Sequence, residues 1–232
     1  MAKLLIVDDE KSIRDALRDI LEYEEYEVDE AKDGEEGLEM VLKTQYDVAL
    51  CDIKMPKLDG LEMLLKAKEE GKIKYLGFTG HQNPFAHARM LELTKESDIF
   101  DTVLMPVNVL DQSYFSFTQN IMAKALDRNM GILAIKSLAD GRFFEKKEHG
   151  GWTSNDPLIP NYLSIKEAMH FVWSLPVTVL ISGNENATFM REKIALARSF
   201  AKLTDDQKTA LIDKVKTIAL TGKVEYYKKQ EA

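Results

Sequence analysis

The feature that most constrains this chain is an alternation. Short apolar runs near residues 3–8, 26–31, 47–52, 74–78, 101–105, 132–136 and 177–182 are separated by stretches of helical period. Strands spaced by helices pair in parallel through βαβ crossovers, so the sequence specifies an α/β fold. The helical signals are local and concrete. Ile13, Leu17, Ile20 and Leu21 fall on one helical face, and Leu61, Leu64 and Leu65 repeat the pattern. Gly71 reads as a C′ residue and Asn83-Pro84 as an N-cap followed by proline at N1. Ser164 with Glu167, and Thr204 with Gln207, match capping boxes. Residues 141–163 form a long loop after the sixth strand, where such loops cover ligand sites at the carboxyl end of a sheet.

Charge and composition set limits on partners. The formal net charge is −8, from 31 basic and 39 acidic residues, which argues against a general nucleic-acid surface. The pairs Lys146-Lys147 and Lys228-Lys229 read as solvated tails. No apolar run approaches the roughly 20 residues of a membrane helix, and "MAKLLIVDDE" enters a strand with no leader before it. The single Cys51, inside "VALCDI", reads as a buried, reduced thiol. Together these predict a cytoplasmic protein with no nucleic-acid or membrane partner. His81, His87, His149 and His170 lack metal-ligand spacing and read as surface or capping residues. Trp152 reads as either a lid aromatic or a loop-packing residue.

Asp8 and Asp9 end the first strand and Asp52 ends the third. In a doubly wound sheet of order 2-1-3 these carboxylates share one edge, where unpaired they repel. A hard divalent cation such as Mg²⁺ relieves the repulsion, and the Asp52 carboxylate can then attack a phosphoryl donor. The stretch from residue 3 to about 65, with Asp-Asp at a strand end, "DIKMP" and Asp59-Gly60, resembles the receiver domain of bacterial response regulators. The resemblance implies Asp52 as phospho-acceptor, Asp9 as a direct Mg²⁺ ligand, Asp8 as a water-mediated one, and the Lys54 carbonyl as a further ligand. It also implies that Thr79 supplies a hydroxyl to the phosphoryl group. "DTVLMPVNV" departs from the pattern, placing Met105-Pro106 where the family has Lys-Pro.

From about residue 66 the chain resembles instead the C-terminal half of the aldo-keto reductases, a (βα)₈-barrel family that binds NADPH. "GKIKYLGFTGH", "FDTVLMPVNV", "NMGILAIKSLADG" and "LPVTVLISGNENATFMREKIALA" resemble its fifth to eighth strands with their flanks. On that resemblance Lys136, Ser137, Ser182, Gly183, Asn184, Glu192 and Lys193 are remnants of an NADPH site. Leu104 stands where the family's glutamine holds the nicotinamide amide. The family's catalytic Asp, Tyr, Lys and His come from the half that is absent, and residues 1–70 contain no histidine. No reductase turnover is expected.

One history accounts for both resemblances: an engineered chimera with a receiver-like fragment over 1–65 and a half-barrel over 66–232, spliced within a shared helix at 61–72. It predicts one fused domain, a barrel-like hybrid of flavodoxin-like and TIM-barrel halves with strand order 2-1-3-4-5-6-7. The hybrid has seven strands, or eight if "TGKVEYYKK" is a strand rather than a helical tail. The alternative is an open doubly wound sheet. The expected function is a scaffold without evolved activity or native signalling partner, retaining the acidic Mg²⁺ pocket. The alternatives are a phospho-accepting receiver and an NADPH-binding remnant.

Overall fold

The computed structural model describes residues 1–96, 99–143, 162–184 and 186–229. The chain divides into two compact units, Met1–Leu76 and Gly77–Ala232.

The first unit runs β1 (Lys3–Val7), α1 (Lys11–Tyr23), β2 (Glu27–Ala31), α2 (Gly34–Lys43), β3 (Val48–Cys51) and α3 (Gly60–Glu69). Its parallel sheet has the order β2-β1-β3. The central strand is covered on both faces, so Leu4, Leu5, Ile6 and Val7 are all buried, and it reads as a continuous apolar run. Leu5, Val7, Ala31, Val41, Met63 and Ala67 form the centre of its core. Two predicted stripes differ from the packing. Helix α1 fully buries no residue, and Ile20 remains 61% exposed. In α3 the buried positions are Met63 and Ala67 rather than Leu61, Leu64 and Leu65. The cause is the helix start: Gly60 lies so close to the Asp52 carbonyl that the rotation of the helix is fixed there.

The second unit runs β4 (Gly77–Thr79), α4 (Pro84–Leu93), β5 (Thr102–Pro106), a 3-10 turn at Leu110–Gln112, and a π-helical turn at Thr118–Met122 leading into α5 (Ala123–Asp127). It continues through β6 (Gly131–Ile135), α6 (Ile165–Trp173), β7 (Val179–Leu180), α7 (Ala187–Arg198) and α8 (Asp205–Ala219). Its sheet is parallel, in the order β4-β5-β6-β7. Val103, Met105, Ile132, Ala134, Phe117 and Phe171 fill its core. The sequence signals for helix ends hold: Asn83 Oδ1 accepts from the Phe85 amide at 2.8 Å with Pro84 at N1, and Ser164 and Thr204 close capping boxes. Gly71 takes a left-handed φ of 69° past the end of α3.

The closed barrel is not formed. Among the described residues the strands make two open sheets, of three and four strands, and no ladder joins β3 to β4. The two strands that would have met at closure are poor partners. Strand β2 is charged (Glu27, Asp29, Glu30), which blunts an edge against pairing, and β7 is two residues long. "TGKVEYYKK" is neither an eighth strand nor a helix; it consists of turns and bends. Lys228 is fully buried, not solvated. His87 and His170 are buried too, His87 between the rings of Phe78 and Phe117 and His170 against Phe200, because the aromatic residues around them leave no path to water. Lys146, Lys147, His149 and Trp152 lie outside the described residues, as does most of the predicted 141–163 loop. No helix of the described residues is long and apolar enough to cross a membrane.

Candidate functional site

The acidic edge of the first unit is built by register. Val7 pairs with Cys51 across β1 and β3, so the next residues, Asp8 and Asp52, leave the sheet side by side. The Asp52 amide donates to the Val7 carbonyl at 2.8 Å, and the Asp8 amide to the Ala31 carbonyl at 3.2 Å. Asp8 is buried, and its Oδ1 accepts from the Glu10 amide at 2.8 Å. Arg14 Nη1 donates to the Asp8 carbonyl at 2.6 Å, tying the start of α1 to the strand end. Asp9 and Asp52 are exposed. The Lys54 amide donates to Asp52 Oδ2 at 3.1 Å, which holds that carboxylate over its own loop.

The floor of this edge depends on Gly60. A Cβ there would lie 1.9 Å from the Asp52 carbonyl oxygen and 2.9 Å from Cys51 Sγ. The Gly60 amide donates to the Ile53 carbonyl at 2.9 Å, and Asp59 caps α3 by accepting from the Glu62 amide. The local field is negative. Burial, then the charges of Asp52, Asp8 and Asp59, push the Cys51 thiol up to about 12, so it is a protonated, half-buried thiol.

One support was not foreseen from sequence. Asp33 is buried at the N-cap of α2, where it accepts from the Glu36 amide at 3.0 Å and pairs with Lys57 at 2.5 Å. That pair fastens the loop carrying Asp52 to α2, and the Lys57 hydrogen bond holds the Asp33 carboxyl below the usual carboxylate range. The signal was present as Asp33-Gly34 before a helix, a capping pattern. Lys57 itself, at a φ of 68°, carried none.

Asp8, Asp9 and Asp52 are hard oxygen donors with no cation paired to them among the described residues, a donor set whose chemistry suits Mg²⁺. Asp8 and Asp52 are each turned onto a backbone amide of their own chain. As they stand, no three His, Cys, Asp or Glu among the described residues are gathered closely enough to hold a metal ion.

Thr79 ends β4, and Met105 and Leu104 lie in β5, all within the second unit. The residues expected from the reductase resemblance fall at two places. Lys136 follows β6 at a φ of 53° and pairs with Asp140 at 2.6 Å, and Ser137 beside it is buried. After β7, Lys193 Nζ donates to Ser182 Oγ at 2.8 Å and to the Gly183 carbonyl, while Asn184 Nδ2 donates to the Ser182 carbonyl at 3.1 Å. Asn184 Oδ1 and Glu192 Oε2 are buried without a hydrogen-bond partner.

Comparison with known proteins bears on the first of these two regions. Residues 4–100 match the family model of the response regulator receiver domain. The chain is 46% identical over 69 residues to the transcriptional regulatory protein DltR of Streptococcus agalactiae, covering 30% of this chain and 31% of that protein. It is 44% identical over 68 residues to the transcriptional regulatory protein ResD of Bacillus subtilis, covering 29% and 28%. The chain thus spans about a third of the length of the curated relatives it matches. Among solved structures, the response regulator TrrA of Thermotoga maritima, in complex with Mg²⁺-BeF, overlaps 56% of this chain and all of its own, at 26% identity and a TM-score of 0.37. These findings give the reductase half and the chimera no support. They also overturn the expectation of no nucleic-acid and no signalling partner, since the relatives are transcriptional regulators. What they support is a response-regulator receiver likeness at the N-terminus, over residues 4–100.

Proposed function

We propose that the N-terminal unit is a phospho-accepting receiver module that works in transcriptional regulation, as the names of its relatives indicate. The observation that carries this reading is the register that sets Asp8 beside Asp52 at the carboxyl edge of β1 and β3. Asp52 is the acceptor: a carboxylate oxygen attacks phosphorus, a new O–P bond forms, and the bond to the donor's leaving group breaks, the leaving group taking its electron pair. The product is an acyl phosphate on Asp52. The Lys54 amide orients the carboxylate before attack. Asp8, Asp9, Asp52 and the Lys54 carbonyl would hold Mg²⁺, which when bound neutralises charge on the transferring oxygens. Thr79 and Met105, which the receiver resemblance relates to the phosphoryl group, belong to the second unit and form no part of this proposal. Reductase turnover forms no part of this reading.

A second reading treats the second unit as a half-barrel scaffold joined to this fragment. Its support is the parallel sheet β4-β5-β6-β7, whose strands alternate with helices as in four βα units. The same experiment separates the two. After incubation with Mg²⁺ and a small phosphoryl donor, the intact mass should rise by one phosphoryl group, and Asp52→Asn should abolish the gain. No gain in a folded chain overturns the receiver reading and leaves the scaffold.

A further inference from the structure

Residues Glu225–Lys229 lie against the carboxyl ends of three consecutive strands of the second unit. The Lys229 amide donates to the Gln82 carbonyl, beyond β4, at 3.0 Å. Asn108, beyond β5, donates through Nδ2 to the Tyr227 hydroxyl at 3.3 Å and to Glu225 Oε1 at 2.9 Å. Lys136, beyond β6, sets its ammonium 5.4 Å from the Tyr227 ring centroid. Below them Lys228 Nζ donates to Asp111 Oδ1 at 2.7 Å, Glu225 Oε2 at 2.8 Å and the Tyr114 carbonyl at 2.8 Å. The Lys228 and Asp111 side chains are 0% exposed. Outside this latch, the Tyr226 hydroxyl donates to Asp140 Oδ2 at 2.6 Å.

The carboxyl edge of a parallel α/β sheet is where ligands enter. Here the chain's own C-terminal segment fills it, and the material that fills it is polar. A buried ion pair contributes little net stability, because solvation lost on burial offsets the attraction gained. Lifting the segment would return Lys228 and Glu225 to water together, while Asp111 keeps the hydrogen bonds it accepts from Ser116 Oγ and the Phe117 and Thr118 amides, so opening costs less than exposing an apolar plug of the same size. The segment also has a joint. Gly222, three residues beyond α8, takes a φ of 66°, and a Cβ there would lie 2.7 Å from the Tyr114 ring. The loop under the segment is strained, with Lys136, Ala139 and Asp140 at φ of 53°, 47° and 61°.

The geometry points to a C-terminal strap: Glu225–Lys229 closes the carboxyl edge of the second sheet over Asn108 and Lys136, turns about Gly222, and lifts as a unit to open that edge. The test is amide hydrogen exchange on the full chain, compared with Lys228→Met and Tyr226→Phe. In Lys228→Met, amides of residues 107–112 and 136–141 should exchange about tenfold faster while β5 and β6 keep their protection. Tyr226→Phe, which removes only the outer bond to Asp140, should raise exchange in the same two loops by a smaller factor. Loss of protection in the strands along with the loops would show that the segment is core rather than strap and overturn the proposal. So would unchanged loops in Lys228→Met. Should Lys228→Met fail to fold, Tyr226→Phe decides: faster exchange confined to the two loops sustains the strap, and none overturns it.

Discussion

At the scale of single residues, the chain shows how one side chain serves two purposes. Asp33 caps α2 and, through Lys57, fastens the loop that carries Asp52. Replacing a capping aspartate by alanine costs about 1 kcal/mol, and a buried carboxylate whose partner is a lysine adds to that. Asp33→Ala should therefore lower the urea midpoint of the first unit by an amount equal to about 1–2 kcal/mol, and should slow phosphoryl labelling of Asp52 more than Lys57→Ala does. His87 makes a different case. Burial holds its imidazole below its ordinary value, and its Nε2 lies 3.4 Å from the Leu104 carbonyl. A base whose folded value is depressed stabilises the fold above its unfolded value, about 6.5, and loses that contribution as pH falls through the folded value. In urea titrations, stability should therefore drop as pH falls below about 6.5, and His87→Gln should show a shallower drop over the same range.

At the scale of elements, what was legible was local. The strands fall where apolar runs fall, and the caps at Asn83, Ser164 and Thr204 act as their residue types require. Helix faces were less legible. The three leucines of α3 make its most apolar stripe, yet Met63 and Ala67 face the core, because the rotation of that helix is set by Gly60 against Asp52, a contact between elements that no helical period encodes. The tail failed for a related reason. Lys228-Lys229 has the composition of a solvated end, and only the carboxylates of Asp111 and Glu225, the first more than a hundred residues earlier in the chain, make a buried lysine tolerable. The placement of the strand-end aspartates was read more fully. Three aspartates at strand ends are an unusual pattern, and strand order alone places Asp8 beside Asp52. The side-chain geometry was not legible, since Asp8 and Asp52 each accept from a backbone amide of their own loop, a local contact that strand order does not encode.

At the scale of the whole molecule, the sequence alternates βα units from end to end, which invites one continuous sheet. Among the described residues the structure forms two. Alternation specifies that strands are parallel and that helices cover them, but not which edges meet. Edge chemistry decides that, and the charges on β2 together with the brevity of β7 close off both outer edges. The receiver likeness reaches residue 100, past the division at Leu76, so similarity of sequence and compactness of structure mark different boundaries here.

Gly60 carries a consequence for how this chain can vary. A glycine codon changed at one nucleotide to another amino acid always adds at least a Cβ, and at this position that atom would fall 1.9 Å from the Asp52 carbonyl oxygen. In a saturation library selected for phosphoryl labelling, position 60 should return glycine almost alone, while Gly71, with open space around it, should return asparagine and other tolerant residues as well. A single missing atom thus restricts how the loop after Asp52 can vary, although most of its side chains face water.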